Sequence, residues 1–135
     1  MGDSRLYLFR KGELKQLTVD QTVAQELRDK GVDHKNGKHI SSFEHVLTNA
    51  LGIQKECGIT VSHDVVQPGD VHLLCSDGLT GVLDDKTIAS MLSQHSGVLE
   101  GVVQSLFSAS LLRAAPDNIS AAMIRSELSS KREEA

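Results

Sequence analysis

Apolar and polar positions alternate through residues 4–18, SRLYLFRKGELKQLT, and the alternation breaks at Lys11, Gly12 and Glu13. A period of two marks half-buried strands, so this stretch predicts a β-hairpin. In the next run, VDQTVAQELRDKGV, Val23 and Leu27 fall four apart and Gly31 closes the pattern, which predicts a short helix. Residues 32–45, VDHKNGKHISSFEH, are polar and weakly patterned and read as a surface excursion. From Thr60 the pattern sharpens again. TVSHDVV and VHLLCS are strand-like and flank QPGD, whose Pro-Gly pair signals a turn. Asp84 or Asp85 can cap a helix with Ile88, Met91 and Leu92 on one face and Gly97 as its stop. A second helix is predicted from about Val98 to Arg113, with Leu99, Val102, Val103 and Leu106 inward, ending before Pro116. DNISAAMI reads as a last strand and SELSSKREEA as a charged, frayed tail.

Strands and helices are grouped rather than strictly alternating, so the expected fold class is α+β. At 135 residues the chain can bury one core, and 39% hydrophobic with 24% charged residues reads as globular. A formal net charge of -4 without a basic stripe, and no Trp, argue against a nucleic-acid partner. No apolar run approaches a membrane span, and LYLF is too short for a signal peptide. The two cysteines, Cys57 and Cys75, make no disulfide framework, and Cys75 lies among leucines like a small core residue. A reducing, cytoplasmic setting is therefore expected.

Chemistry concentrates in three aspartates: Asp3 in GDSR, Asp77 in SDGL and Asp117 in PDNIS. Asp77 ends one predicted strand and Asp117 begins another. If those strands are antiparallel neighbours, the two carboxylates share one end of the sheet, where they repel unless a cation lies between them. Hard dications such as Mg²⁺ or Mn²⁺ take such oxygen ligands. The alternative is that Asp-Gly and Asp-Asn are only turn dipeptides, and for either site alone that reading is preferred.

The stretches GDSRLYLFRKGELKQLTVD, HVLTNALG, PGDVHLLCSDGLTGVLDD and PDNIS, in that order and spacing, resemble the C-terminal portion of the metal-dependent PPM-type (type 2C) serine/threonine protein phosphatases. The resemblance implies a partial PPM-type β-sandwich with flanking helices over residues 1–126, followed by the tail at 127–135. It implies Asp77, Asp117 and Asp3 as metal ligands, the last at a third and weaker position, with Mn²⁺ or Mg²⁺ as cofactor. No protein nucleophile is implied, because the attacking group is a metal-activated water. The implied substrates are phosphoserine and phosphothreonine in phosphoproteins, in a signalling role.

Departures from the family pattern follow. Its N-terminal DGHGG element, which carries the bridging aspartate, has no counterpart here, so impaired turnover is expected. Gln21 and Gly81 stand where members often have histidine and aspartate. A sandwich lacking its first strands would expose sheet edges and invite self-association. The competing expectations are a non-catalytic module that binds a phosphoprotein or partner, and a fragment complemented by an N-terminal piece. His34, His39 and His45 match no zinc spacing and read as solvated loop residues beside the site.

Overall fold

The computed structural model describes residues 2–31, 40–52, 55, 58–94 and 98–127. The predicted hairpin forms as β1 (Arg5–Arg10) and β2 (Glu13–Gln16). Lys11 and Gly12 both adopt positive φ, 52° and 88°, the two-residue turn whose twist matches the strands it joins. Glu13, expected in the bend, is instead the first residue of β2 and pairs with Arg10. Thr22 caps α1 (Val23–Asp29) by accepting a hydrogen bond from the Gln25 amide at 3.2 Å, and the residue this helix buries is Ala24. A 3₁₀ turn follows at Ser41–Phe43.

VHLLC forms β3 (Val71–Cys75) as expected, whereas TVSHDVV at 60–66 forms no strand. The sheet order is β2-β1-β3-β4, antiparallel throughout, with β4 at Ala121–Arg125. Both sides of β1 and β3 are taken by other strands, and residues 58–66 lie exposed beside Leu6 and His72 on the outer face of the sheet. Val61, Val65 and Val66 have strand propensity but pair with neither open edge, β2 or β4, of the sheet.

Immediately after β3, four residues form a short helix, α2 (Asp77–Thr80), where the sequence suggested a plain turn. The two longer helices stand close to their predicted bounds, α3 at Asp85–Gln94 and α4 at Leu99–Leu112. Asp84 caps α3, its Oδ1 accepting from the Thr87 amide at 2.8 Å. Gly97, the expected stop, and most of the tail lie outside the described residues, as do His34, His39 and Cys57.

Register and parity place the core. Tyr7, Leu73 and Met123 stand side by side across β1, β3 and β4 on the face that meets the helices. Leu79, Leu83, Ile88, Val102 and Leu106 complete that layer, each almost wholly buried. Burying each of these aliphatic side chains contributes about 1.5–3 kcal/mol. The opposite face carries Leu6, His72, Leu74, Ala122 and Ile124, with Leu74 and Ile124 exposed. Among the described residues the molecule is thus one antiparallel sheet covered by helices on one face, a partial α+β layer.

Polar residues inside this layer are paired. The Arg5 guanidinium spans Asp20, donating from Nη2 to Oδ2 at 2.6 Å, and also donates from Nη1 to the Tyr7 hydroxyl at 3.0 Å. That hydroxyl in turn donates to Asp85 at 2.9 Å, which ties β1 to the first turn of α3. Cys75 is a packing residue, as expected: burial pushes its thiol up to about 11, so almost no thiolate forms near neutral pH.

Candidate metal centre

Antiparallel pairing decides what meets at the end of the sheet. Arg5, Cys75 and Ala121 lie in register across β1, β3 and β4. The residues just before β1, just after β3 and just before β4 therefore converge on one rim. Asp3, Asp77 and Asp117 occupy those three segments.

Asp77 is set in place by Ser76 and Leu79. Ser76 is extended, with φ −79° and ψ 167°, and turns the chain from strand to helix, while Leu79 anchors α2 in the core. The Ser76 hydroxyl donates to the Asn118 carbonyl at 3.2 Å and accepts from the Ser120 amide at 3.0 Å. The Ser76 amide donates to the Ser120 carbonyl at 3.0 Å. The segment leading into β4 is thus stitched to the end of β3. Gly78 allows the contact: a Cβ there would overlap the Asn118 carbonyl oxygen and lie 2.9 Å from its carbon.

Asp3 is held from a different direction. Gln21 donates its amide to the Gly2 carbonyl at 2.9 Å, and the Gly2 amide donates to Gln21 Oε1 at 3.0 Å. The same Oε1 accepts from Asn49 Nδ2 at 3.0 Å, and the Gln21 carbonyl accepts from the Thr48 amide at 2.9 Å. Gln21 therefore joins the start of β1 to the segment at 46–49, which carries His45 at its head.

The outcome is a cluster of Asp3, His45 and Asp77, whose ligating atoms all lie within 4.8 Å of one another. Asp117 stands apart from it. Its backbone carbonyl lies against Gly78, and its Oδ1 accepts from the Asn118 amide at 2.7 Å, the local bond of a turn.

The cavity around the cluster is also lined by Arg5, Asp20, Arg28 and Glu44. These four neutralise one another: Arg5 pairs with Asp20 at 2.6 Å and Arg28 with Glu44 at 2.6 Å. Among the described residues, Asp3 and Asp77 form no salt bridge. Burial, and then the neighbouring charge of Asp77, push the Asp3 carboxyl above its ordinary value. Two unpaired carboxylates with an imidazole beside them suit a dication. Ligands facing each other across a small ion are about 4.2 Å apart, so a modest rotation of these side chains would close the set.

Sequence reasoning placed His45 beside the site only as a solvated loop residue, and it gave Gln21 no part in the site. His45 sits in a polar stretch with no period, and Gln21 registered only as a departure from a family pattern. The one available pointer was that His45 opens HVLTNALG, a stretch the resemblance already used.

No family model matches the chain. Its sequence is 38% identical over 120 residues to the serine/threonine protein phosphatase PstP of Mycobacterium tuberculosis, covering 88% of this chain and 23% of that protein. The crystal structure of Mycobacterium tuberculosis PstP/Ppp superposes with a TM-score of 0.84 at 33% identity, covering 94% of this chain and 53% of that one. The PPM Ser-Thr phosphatase MsPP from Mycobacterium smegmatis, in complex with cacodylate, gives a TM-score of 0.78 at 33% identity, covering 92% and 53%. The catalytic domain of PstP in complex with 2 manganese ions gives 0.72 at 34% identity, covering 90% and 49%. The chain spans about half the length of these solved structures and 23% of the PstP sequence. A rim of carboxylates at the end of an antiparallel sheet, on a fold shared with these enzymes, defines the class as a metallophosphatase fold. The chain belongs to the PPM-type serine/threonine phosphatases and comprises part of their domain.

Proposed function

We propose that this chain takes part in metal-dependent removal of phosphate from phosphoserine and phosphothreonine in proteins, using Mn²⁺ or Mg²⁺ held at the Asp3–Asp77 rim. The observation that carries this reading is the charge balance of the cavity. Every other charged pair lining it is internally neutralised, while Asp3 and Asp77 are left facing each other. A dication bound there supplies Lewis-acid activation of water and offsets phosphoryl charge. The chain's own residues present the two oxygens, fix α2 through Ser76 and Leu79, and fix Asp3 through Gln21. Asp117 belongs to this reading as a further ligand of the same rim, reached once its carboxylate leaves the Asn118 amide. Residues 1–126 act as one phosphatase-type unit in it.

The phosphoprotein substrate and a signalling role come to this reading from the phosphatases the chain resembles. No helix among the described residues is long and apolar enough to cross a membrane. Cys75, a buried free thiol, accords with a cytoplasmic setting. The exposed Leu74 and Ile124 on the outer face support self-association or pairing with a further sheet.

The test is Mn²⁺-dependent hydrolysis of a small phosphate ester and of a phosphothreonine peptide, with Asp77→Asn as control. Turnover that needs the metal and disappears with the substitution is expected. The local Asn118 bond of Asp117 favours a second reading, a module that binds phosphoproteins without turnover. Saturable phosphopeptide binding with no hydrolysis would select it.

A further inference from the structure

The Asp3–Asp77 pair does not stand alone: the His45 imidazole has a ring nitrogen within 4.8 Å of both carboxylates. His45 is exposed, yet its position is fixed from both sides. Upstream, Glu44 is paired with Arg28 at 2.6 Å, on the outer turn of α1. Downstream, the Val46 carbonyl accepts from the Val23 amide at 2.8 Å, and Thr22 and Leu47 form a β-bridge. The Val46 amide also donates back to the Phe43 carbonyl at 3.2 Å, closing a tight turn around His45. With the backbone tied on both sides, ligation has only the rotamers of the side chain itself left to fix.

We infer that His45 is the third protein ligand of the Asp3–Asp77 cation site and sets its metal preference, favouring imidazole-binding ions such as Co²⁺ and Zn²⁺, then Mn²⁺, over Mg²⁺. This rests on the metal reading above and goes beyond it by assigning a nitrogen donor. The chemistry follows from ligand type. Mg²⁺ prefers oxygen and keeps its waters, so a neutral imidazole adds little to its binding. Co²⁺ and Zn²⁺ gain strongly from a nitrogen donor, and Mn²⁺ gains less. Two carboxylates with one histidine also leave coordination positions open for water or a phosphate oxygen.

The test uses the full chain and the metal ions alone. Mn²⁺ is titrated by electron paramagnetic resonance, histidine ligation is read from nitrogen modulation of the bound ion, and Co²⁺, Zn²⁺ and Mg²⁺ affinities are measured by competition. With His45→Gln the nitrogen modulation should vanish and Co²⁺ and Zn²⁺ should bind at least about tenfold more weakly, with Mg²⁺ changing less than about twofold. His45→Asp, which puts a carboxylate in place of the imidazole, should keep Mn²⁺ bound without the nitrogen signal. Circular dichroism of each variant shows that it is folded. Mn²⁺ binding that is lost in Asp77→Asn but lacks nitrogen modulation overturns the role of His45 and leaves the metal reading standing. Binding indifferent to Asp77→Asn, or no binding at all, overturns the metal reading and this inference with it.

Discussion

Replacing Gly78 by alanine tests the rim in a way no charge change can. Gly78 lies in α2 with helical backbone, so alanine should be favoured there by about 1 kcal/mol on helix propensity alone. Against this, the new methyl would overlap the Asn118 carbonyl oxygen, with the Asn118 carbon at 2.9 Å and the Asp117 oxygen at 3.3 Å. All three atoms are backbone, and none can rotate away as a side chain would. Relief requires α2 and the 117–120 segment to separate, yet Ser76 binds that segment through three hydrogen bonds. Overpacking of this kind takes about 1–3 kcal/mol, and weakening the Ser76 bonds adds about 1 kcal/mol each. The net expectation is a loss of about 3–5 kcal/mol, or about 9–20 °C in Tm for a domain of this size. Urea and thermal unfolding followed by circular dichroism measure it. Gly81→Ala is the control, because its Cβ meets only the Asp77 carbonyl, at 3.1 Å, where a small shift suffices. A Gly78→Ala variant as stable as the parent, or more stable, would show that the two rim segments are not in contact and that helix propensity governs the site.

Three further outcomes follow from the same geometry. Asp77→Asn should raise Tm in chelator, because it removes the repulsion felt by Asp3, and should abolish the stabilisation by Mn²⁺, which for the parent reaches about 2.7 kcal/mol at one hundred times Kd; thermal scans with and without the ion decide it. Gln21→Ala should weaken Mn²⁺ binding by about 10–100-fold, since it unties Gly2 and Asn49 while leaving all three ligating side chains intact; calorimetric titration reads the change, and an unaltered affinity would deny Gln21 a positioning role. Two Arg10 hydrogen bonds, and then the Gln67 amide, hold the Asp70 carboxyl at about 2. This lies below its unfolded value of about 3.9, so its stabilisation is complete above that pH and is lost as pH falls through about 2. Asp70→Asn should therefore shrink the drop in urea midpoint between mildly and strongly acidic buffer, and an undiminished drop would assign that drop to other carboxyls.

Elements with a clear period and local punctuation were legible in the sequence. The hairpin had alternation plus Lys11-Gly12, and α3 and α4 had apolar residues on one face with Asp84 as a cap. Strand β3 was legible as a buried run. The stretch at 60–66 misled because strand propensity does not by itself lay a segment along a sheet edge, and its path relative to β2 and β4 is set by the tertiary arrangement. Helix α2 was hidden by its brevity: Asp-Gly at the end of a strand reads as a turn until Leu79 is seen in the core. Strand order and direction made a meeting of Asp77 with Asp117 legible, and Asp3 entered only through the family resemblance, whereas the cluster in the structure sets Asp3 beside Asp77. His45 was not legible as a ligand, because it reaches the rim through Gln21 and α1, contacts between polar segments that leave no periodic trace.

The rim owes its position to topology and its precision to neutral groups. Antiparallel order alone brings the start of β1 and the end of β3 to one end of the sheet, whichever side chains they carry. Bringing two carboxylates together there is unfavourable, so opposite charges would be the simplest way to hold them. The neighbouring arginines are engaged elsewhere, Arg5 with Asp20 and Arg28 with Glu44. The work falls instead to Ser76 and Gln21, which stitch backbone to backbone without adding charge. A cationic clamp would cancel the field that attracts a dication, whereas a neutral one preserves it. The fold thus accepts a small local repulsion at this edge, and that repulsion is the driving force for cation binding.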